Sequence, residues 1–236
     1  MSTSTRAPNP EPKHTVLIAS NNAHKLQELT EIVALAGADG AIHLITPCDL
    51  GLSLDPDETA DTYLGNAQIK ARAFAQALRT TPVRGATGRG PVQIAPDELV
   101  VMADDSGLEV DALGGRPGLR SARYSKAAPG GDGCAALLAE LSHVPEANRT
   151  ARFRCVIVLA WPGRGLEQAA EGVCEGAIGW EKRGLGGFGF DPVFVPVAQP
   201  VGQSRHLAEL AASEKHRISH RGIAVRKALA QLLQVD

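Results

Sequence analysis

The chain has few aromatic residues, no excess of positive charge and no long apolar run. Aromatic residues make up 4% of its 236 residues, and three of the five phenylalanines lie close together, at positions 188, 190 and 194. The formal net charge of −2 provides no overall basic field, which argues against binding a nucleic-acid polymer through its phosphates. Because no apolar run approaches the roughly 20 residues of a membrane span, we expect no membrane contact.

Cysteine is also scarce, and its spacing excludes the common metal motifs. The four cysteines form neither a CxxC pair nor a cluster with histidine, so no structural zinc site is predicted. Cys155 lies in an apolar run, and buried free thiols fit a protein of the reducing cytoplasm. The opening residues, MSTSTRAPNPEPKH, lack the apolar centre of a secretory signal, and we predict a disordered polar tail over 1–13.

Short apolar runs alternate with amphipathic segments from residue 14 onward, which predicts one α/β domain over 14–236. Apolar residues three or four positions apart predict helices at 23–36, 62–78, 132–141 and 219–234. Apolar and β-branched runs predict strands at 15–19, 42–45, 99–102, 151–160, 166–177 and 193–197. The strands predicted at 151–160 and 166–177 are expected to form a hairpin, so we expect a mixed sheet. The segment 80–97, rich in glycine and proline, is predicted to be an exposed loop or flap.

Two adjacent aspartates, Asp104 and Asp105, follow the apolar run at 99–102 and precede Ser106. A strand that stops at paired acids places carboxylates at the end of a sheet. There they can bind a hard cation such as Mg²⁺, with Glu58 as a further ligand. One carboxylate could also orient an attacking water. On this pattern alone an alternative stays open, in which one aspartate caps a turn and the other is solvated.

A predicted junction between a strand and a helix reads SNNAHK over positions 20–25. Backbone N–H groups at the helix start, together with the Lys25 ammonium, would favour a phosphate. The segment is not a Walker A loop, because it lacks the glycines and the GK[ST] ending. The alternative is a plain helix cap with a solvated Lys25. The candidate phosphate-binding residues are Ser20, Asn21, Asn22, Ala23, His24 and Lys25.

The segment GGFGFDP at 186–192 combines glycines, two aromatic rings and one acid. Glycine lets the backbone approach a flat ligand, and a ring stacked on a nucleobase contributes roughly 1–3 kcal/mol. Phe188 and Phe190 should point to the same side if the segment is extended, and Asp191 could bond a base edge. The alternative is a tight turn whose phenylalanines enter the core. Phe188, Gly189, Phe190 and Asp191 are the candidate base-binding residues.

The densest basic cluster is EKHRISHRG at 214–222, ahead of the last predicted helix. Ser219 can cap that helix, which places His220 and Arg221 in its first turn, where the helix dipole disfavours cations. Cations in that place fit an anion site, with Lys215 as a further member. The alternative is a solvated charged face.

Together these motifs resemble the inosine triphosphate pyrophosphatase family, also called the Ham1-like family. Five motifs occur in the family order: SNNAHK at 20–25, DET at 57–59 with NAQIKA at 66–71, ADDSGLEVDALGGRPGLRSARY at 103–124, GGFGFDPVF at 186–194 and EKHRISHRG at 214–222. The resemblance implies a long mixed central sheet flanked by helices, in two lobes with a cleft between them. It also implies a homodimer that uses Mg²⁺. The implied reaction converts ITP, dITP or XTP to the monophosphate and pyrophosphate.

The resemblance also assigns roles to matching positions. It implies that Glu58 and Asp105 bind Mg²⁺ with Asp104 close by, and that Asp105 is the proton acceptor. It implies substrate contacts from the segment Ser20–Lys25, from Lys70 and Ser106, from the platform Phe188–Asp191, and from Lys215, His220 and Arg221. Two positions depart from the family pattern, since Asn21 replaces a glycine and Phe190 replaces a common tyrosine. A nucleotide-binding regulatory module without turnover, or a pyrophosphatase for a different modified nucleotide, remains the alternative.

Overall fold

The computed structural model describes residues 13–38, 40–80, 84–87, 90–93, 99–200 and 202–235. The predicted tail at 1–13 lies outside these residues, apart from Lys13. No helix in the described ranges is long and apolar enough to cross a membrane.

Seven strands of the described chain form one mixed sheet, and two more form a separate hairpin. The strands are β1 (His14–Ile18), β2 (Ile42–Ile45), β3 (Arg84–Thr87), β4 (Gly90–Gln93), β5 (Leu99–Val110), β6 (Pro117–Gly118), β7 (Thr150–Trp161), β8 (Leu166–Ile178) and β9 (Phe194–Pro196). The main order is β2-β1-β5-β7-β8-β9, with β6 beside the end of β5. The strands β2, β1 and β5 run parallel, whereas every other pairing is antiparallel. The predicted mixed sheet and the β7–β8 hairpin are therefore confirmed.

Six α-helices of the described chain surround this sheet. They are α1 (Ala23–Leu35), α2 (Tyr63–Thr80), α3 (Ser121–Ala127), α4 (Gly133–Glu140), α5 (Ala212–Ile218) and α6 (His220–Leu232). Short 3₁₀ turns occur at Cys48–Leu50, Asp111–Leu113, Pro129–Gly131, Glu146–Asn148, Asp191–Val193 and Leu207–Glu209. Ser219 caps α6 as predicted, since its hydroxyl accepts a hydrogen bond from Gly222 N. The helices α3 and α5 were not predicted.

Alternation along the central strands builds two apolar layers, one on each face of the sheet. On one face, Val16, Val100 and Ile157 pack with α1 and α6. On the other face, Leu17 and Val101 pack with α2. A third core lies toward the far ends of β5, β7 and β8, where it packs with α4 and β9. The molecule thus has two lobes that share these three long strands.

Two predictions about local structure were wrong. The strand predicted at 99–102 does not stop at the acids but continues to Val110, because β7 pairs with it along the whole stretch from Val101 to Val110. The segment 80–97 is not wholly a loop: α2 extends to Thr80, and β3 and β4 form an antiparallel hairpin. The remaining residues of that segment, 81–83, 88–89 and 94–97, lie outside the described ranges.

Candidate active site

The aspartate pair lies in the middle of β5, at the point where its neighbour β1 ends. Ile18, the last residue of β1, is opposite Met102. On the other side of β5, Asp104 and Asp105 pair with Ile157 and Val156 of β7. The edge of β5 that β1 covers as far as Met102 is therefore open beside the acids, and this opening forms the cleft.

The two aspartates point to opposite faces of the sheet, because successive side chains of a strand alternate. Asp104 shares the face of Met102 and contacts Lys25 of α1 and Arg221 of α6. Asp105 shares the opposite face with Ala103 and contacts residues of α2. The sequence places the carboxylates side by side, but the structure gives them separate surroundings and separate partners.

Asp104 is a buried carboxylate held by cations. Its side chain is 2% exposed, with Oδ2 2.9 Å from Lys25 Nζ and 3.4 Å from Arg221 Nη2. Burial opposes ionisation, but Lys25, Arg221 and Lys70 outweigh it and hold the pKa of Asp104 well below its usual range. This environment favours the ionised form of Asp104, which contacts both Lys25 and Arg221.

Asp105 is a buried carboxylate with a weaker positive environment. Asn66 Nδ2 donates to Oδ2 at 3.1 Å, the Ser106 backbone N–H donates to Oδ1 at 2.9 Å, and Lys70 Nζ lies 3.9 Å from Oδ1. Burial raises the pKa of Asp105; Lys70 opposes this, and the negative charge of Glu58 adds to it. A carboxylate with a raised pKa accepts a proton more readily, which suits general-base chemistry.

Glu58 and Lys70 complete the α2 side of the site. Lys70 Nζ lies 2.9 Å from Glu58 Oε1, so its ammonium lies between the carboxylates of Glu58 and Asp105. Among the described residues no group of three or more acids, histidines or cysteines has metal-binding geometry. Mg²⁺ commonly takes only one or two carboxylates together with substrate phosphates and water. The carboxylates of Glu58 and Asp105 fit that requirement.

The start of α1 is built by its own side chains. Asn22 Oδ1 accepts from the backbone N–H groups of His24 at 3.0 Å and Lys25 at 3.3 Å, so it caps the helix. Asn21 Nδ2 donates to Leu54 O at 2.8 Å, and this bond ties the helix start to the segment that carries Glu58. The alternative of a plain cap is therefore half correct: Asn22 caps α1, but Lys25 is paired with Asp104 and is not freely solvated.

Glu28 is a site residue that the sequence reasoning missed. It is 8% exposed, and its two oxygens accept hydrogen bonds from Lys215 of α5 and Arg221 of α6. The sequence does contain a signal for Glu28, because this acid lies on the buried face of α1 together with Leu29. Glu28 shows that Lys215 and Arg221 are held by carboxylates and do not form the solvated basic face considered above.

The turn at 187–191 separates its two phenylalanines, so the condition for both to point to one side, an extended segment, is not met. The backbone is not extended, because Gly187 and Gly189 have positive φ values of 68° and 62°. Phe188 lies in the cleft, where its ring stacks on His24 at a centroid distance of 5.4 Å. Phe190 is 4% exposed and belongs to the third core, where it contacts Tyr124.

Asp191 closes this turn from within. Its Oδ2 accepts from the Phe188 backbone N–H at 2.8 Å and forms an ion pair with Lys215 Nζ at 2.6 Å. These bonds occupy an oxygen that was predicted to bind a base edge. Lys215 Nζ in turn lies 5.3 Å from the centroid of the Phe188 ring, so Asp191 and Lys215 together fix the position of that ring.

His220 and Arg221 form the first turn of α6 and line the cleft. The His220 ring stacks on Phe153 at 4.6 Å, and burial, reinforced by the charges of Arg221 and Lys215, lowers its pKa well below the usual value. Arg221 Nη2 donates to Ser106 Oγ at 3.0 Å. His220 Nδ1 and Arg221 Nε are buried without a hydrogen-bond partner among the described residues.

The cleft consists of two adjoining cavities of about 740 and 270 Å³. Both are lined by Asn22, Lys25, Glu58, Leu119 and Ala122. Of the predicted residues, the larger cavity also includes Ser20, Asn21 and Lys70. The smaller also includes Asp105, Ser106, Phe188, Gly189, Phe190, Asp191, Lys215, His220 and Arg221. Ala23, His24 and Asp104 line neither cavity, and Ala23 is an exposed residue of the first turn of α1.

Sequence relatives cover nearly the whole chain. A dITP/XTP pyrophosphatase from Corynebacterium glutamicum is 41% identical over 222 residues, which is 93% of this chain and 97% of the relative. A dITP/XTP pyrophosphatase from Chlorobaculum tepidum is 40% identical over 235 residues, which is 91% of this chain and 92% of the relative.

Solved structures and a family model agree with these relatives. The Staphylococcus aureus Ham1 protein superposes with a TM-score of 0.71 at 31% identity, covering 94% of this chain and all of that one. A nucleoside-triphosphatase / dITP/XTP pyrophosphatase from Mycobacterium abscessus gives a TM-score of 0.62 at 37% identity, covering 93% and 98%. The model of the Ham1 family matches residues 16–231, and the chain therefore belongs to the Ham1 family.

Proposed function

We propose that this protein hydrolyses noncanonical purine nucleoside triphosphates, namely ITP, dITP and XTP, to the monophosphate and pyrophosphate. This reaction removes deaminated purines from the nucleotide pool. The observation that carries the proposal is the separation of the two aspartates: Asp104 holds the cations of α1 and α6, while Asp105 faces the cleft with a raised pKa. Relatives with 40–41% identity are named dITP/XTP pyrophosphatases, which supports the same reaction.

Asp105 is the proton acceptor in this proposal. The oxygen of water forms a bond to phosphorus while a P–O bond of the α,β-bridge breaks, and the departing phosphate group keeps the bridging oxygen and the electron pair of that bond. Asp105 takes the proton that the water loses. Asn66 is fully buried and orients Asp105, because its Oδ1 is fixed by the Ala60 backbone N–H while its Nδ2 donates to the carboxylate. Lys70 lies beside Glu58 and Asp105, where it stabilises negative charge that develops on the phosphates.

Mg²⁺ is the proposed cofactor, with Glu58 and Asp105 as its protein ligands. Both supply hard carboxylate oxygens on the α2 side of the cleft, and Lys70 lies between them. When bound, Mg²⁺ offsets the negative charge of the phosphate oxygens.

The smaller cavity is the proposed site of the purine base. Phe188 offers a ring for stacking, and the unpartnered buried atoms His220 Nδ1 and Arg221 Nε belong to residues of the same lining. A 6-oxo purine presents an acceptor where adenine presents an amino donor. A cavity that offers a donor at that point leaves buried groups unpaired when adenine enters, and this penalises the wrong base.

A pyrophosphate-release assay with ITP, dITP, XTP, ATP, GTP and modified pyrimidine nucleotides tests the proposal. We expect Mg²⁺-dependent release from the first three substrates and loss of at least about 100-fold in kcat for Asp105→Asn. Asp111→Asn is the matched control, because Asp111 is exposed and lines neither cavity. Nucleotide binding without pyrophosphate release, or full activity of Asp105→Asn, would contradict the proposal.

We also propose that the protein is a cytoplasmic homodimer that binds neither a nucleic-acid polymer nor a membrane. The three buried free cysteines support this location. Light scattering should give twice the 24.7 kDa chain mass, and a monomer would refute the dimer.

A further inference from the structure

The larger cavity contains two cations to which the proposed reaction gives no role, Arg123 and Lys126. Both lie on α3 and are exposed. Within the described ranges no ion pair or hydrogen bond joins either side chain to another group. Arg123 and Lys126 are therefore charged, unpaired and in contact with the cavity.

The other cations of the cleft are already neutralised. Lys25 is paired with Asp104, Lys70 with Glu58, and Lys215 with Glu28 and Asp191. Arg221 is shared between Glu28 and Asp104. A nucleoside triphosphate brings several negative charges, and the paired cations offer little charge in excess of their own carboxylates. Beyond the charge that Mg²⁺ offsets, cations without partners would therefore improve the charge complementarity of the cleft to a triphosphate.

The position of α3 assigns these cations to one part of the substrate. Ser121 and Ser125, one turn apart, line the smaller cavity, whereas Arg123 and Lys126 line the larger one. Ala122 lines both. The helix thus contributes to the lining of both cavities. With the base on Phe188 in the smaller cavity, the phosphates farthest from the base reach the larger cavity.

We propose that Arg123 and Lys126 bind the β- and γ-phosphates, which leave as pyrophosphate. This inference rests on the proposed function. Arg123 can donate to two phosphate oxygens at once, and Lys126 adds a mobile point charge one turn away. Two exposed acids of the same lining, Asp55 and Asp57, make no ion pair with either cation. Both cations are therefore available to a phosphate.

The test compares Arg123→Ala, Lys126→Ala and the double variant with wild type. For each single variant we expect KM for ITP to rise about tenfold, in line with loss of one hydrogen bond to a charged group. The inhibition constant of pyrophosphate should rise by a similar factor. Inhibition by IMP should change by less than about twofold, because IMP lacks the two phosphates. Arg120→Ala is the matched control, since Arg120 carries the same charge at the start of α3 but lines neither cavity.

Calorimetric titration with pyrophosphate in Mg²⁺ buffer separates this inference from the proposed function. A wild-type chain that releases no pyrophosphate from any nucleotide overturns the proposed function, and the titration then decides the inference by itself. Weaker pyrophosphate binding by the double variant than by Arg120→Ala supports the role of α3. Equal pyrophosphate binding by the double variant and wild type overturns it. So does a rise in the inhibition constant of IMP as large as the rise for pyrophosphate.

Discussion

His220 is a neutral histidine in a cationic environment. Burial, together with the charges of Arg221 and Lys215, keeps its pKa far below 6.5 in the folded chain. As the pH falls below 6.5, the unfolded chain binds a proton that the folded chain excludes, so stability is lost toward acid pH. We expect the free energy of unfolding of wild type to fall by about 2 kcal/mol more than that of His220→Gln between pH 7 and pH 5.

Urea unfolding at a series of pH values measures this difference. The two proteins differ only at position 220, so the contributions of all other groups cancel in the comparison. Parallel pH dependences for wild type and His220→Gln would mean that His220 is protonated in the folded state.

The individual acids show where residue-level prediction from sequence stops. The motif around Asp104 and Asp105 identifies two carboxylates, but their partners come from α1, α2 and α6, which are distant along the chain. Period-two alternation would separate the two side chains once the strand is known to continue. Glu28 is a different case. An acid on the apolar stripe of a helix indicates a buried ion pair, but the sequence does not show which cations pair with it.

At the scale of elements, the spacing of apolar residues was enough to predict some helices and strands. The helix α1 and the strand β2 were predicted from apolar spacing, and their bounds agree to within one residue. The strand β5 was predicted too short because buried strands seldom carry adjacent acids, and only pairing with β7 extends it. The seven-residue helices α3 and α5 are too short to show a clear apolar period.

The contact between α6 and β8 depends on Gly172. A Cβ atom at this position would lie 2.1 Å from His220 O and 2.5 Å from Ala224 N, both backbone atoms of α6. Gly172→Ala therefore pushes away the helix turn that carries His220 and Arg221. We expect a loss of about 1–3 kcal/mol in the free energy of unfolding together with a raised KM for ITP.

Gly40→Ala is the control for this substitution, because nothing lies within 4 Å of a Cβ atom at Gly40. Thermal unfolding and steady-state kinetics of both variants check the prediction. A Gly172→Ala protein with the stability and KM of Gly40→Ala would show that α6 does not rest on β8 at this point.

For the whole molecule, the order of five motifs predicted the family and the fold class, whereas the cleft required the three-dimensional arrangement. Each motif supplies one wall: the start of α1, the α2 side with Glu58, the acids of β5, the turn at Phe188 and the start of α6. The contribution of α3 was not predicted, because its cavity-facing side is set by packing against β5 and α4.

The two lobes should unfold together, because they share three strands. The strands β5, β7 and β8 contribute Met102, Ile157 and Ala170 to the core beside α1 and α6, and Leu108, Phe153 and Cys174 to the core beside α4. Neither core can open without breaking strands of the other. The cleft is lined from both lobes, since Lys25 and Lys70 face Ala122 across it.

Calorimetry with and without IMP, pyrophosphate and Mg²⁺ tests this coupling. A ligand that binds only the folded chain stabilises it by about 2.7 kcal/mol at 100 times its Kd, which corresponds to a rise in Tm of roughly 5–10 °C for a chain of this length. We expect one transition that moves as a whole, because the ligands contact both lobes. Two transitions, of which only one responds to ligand, would show that the shared strands do not couple the lobes.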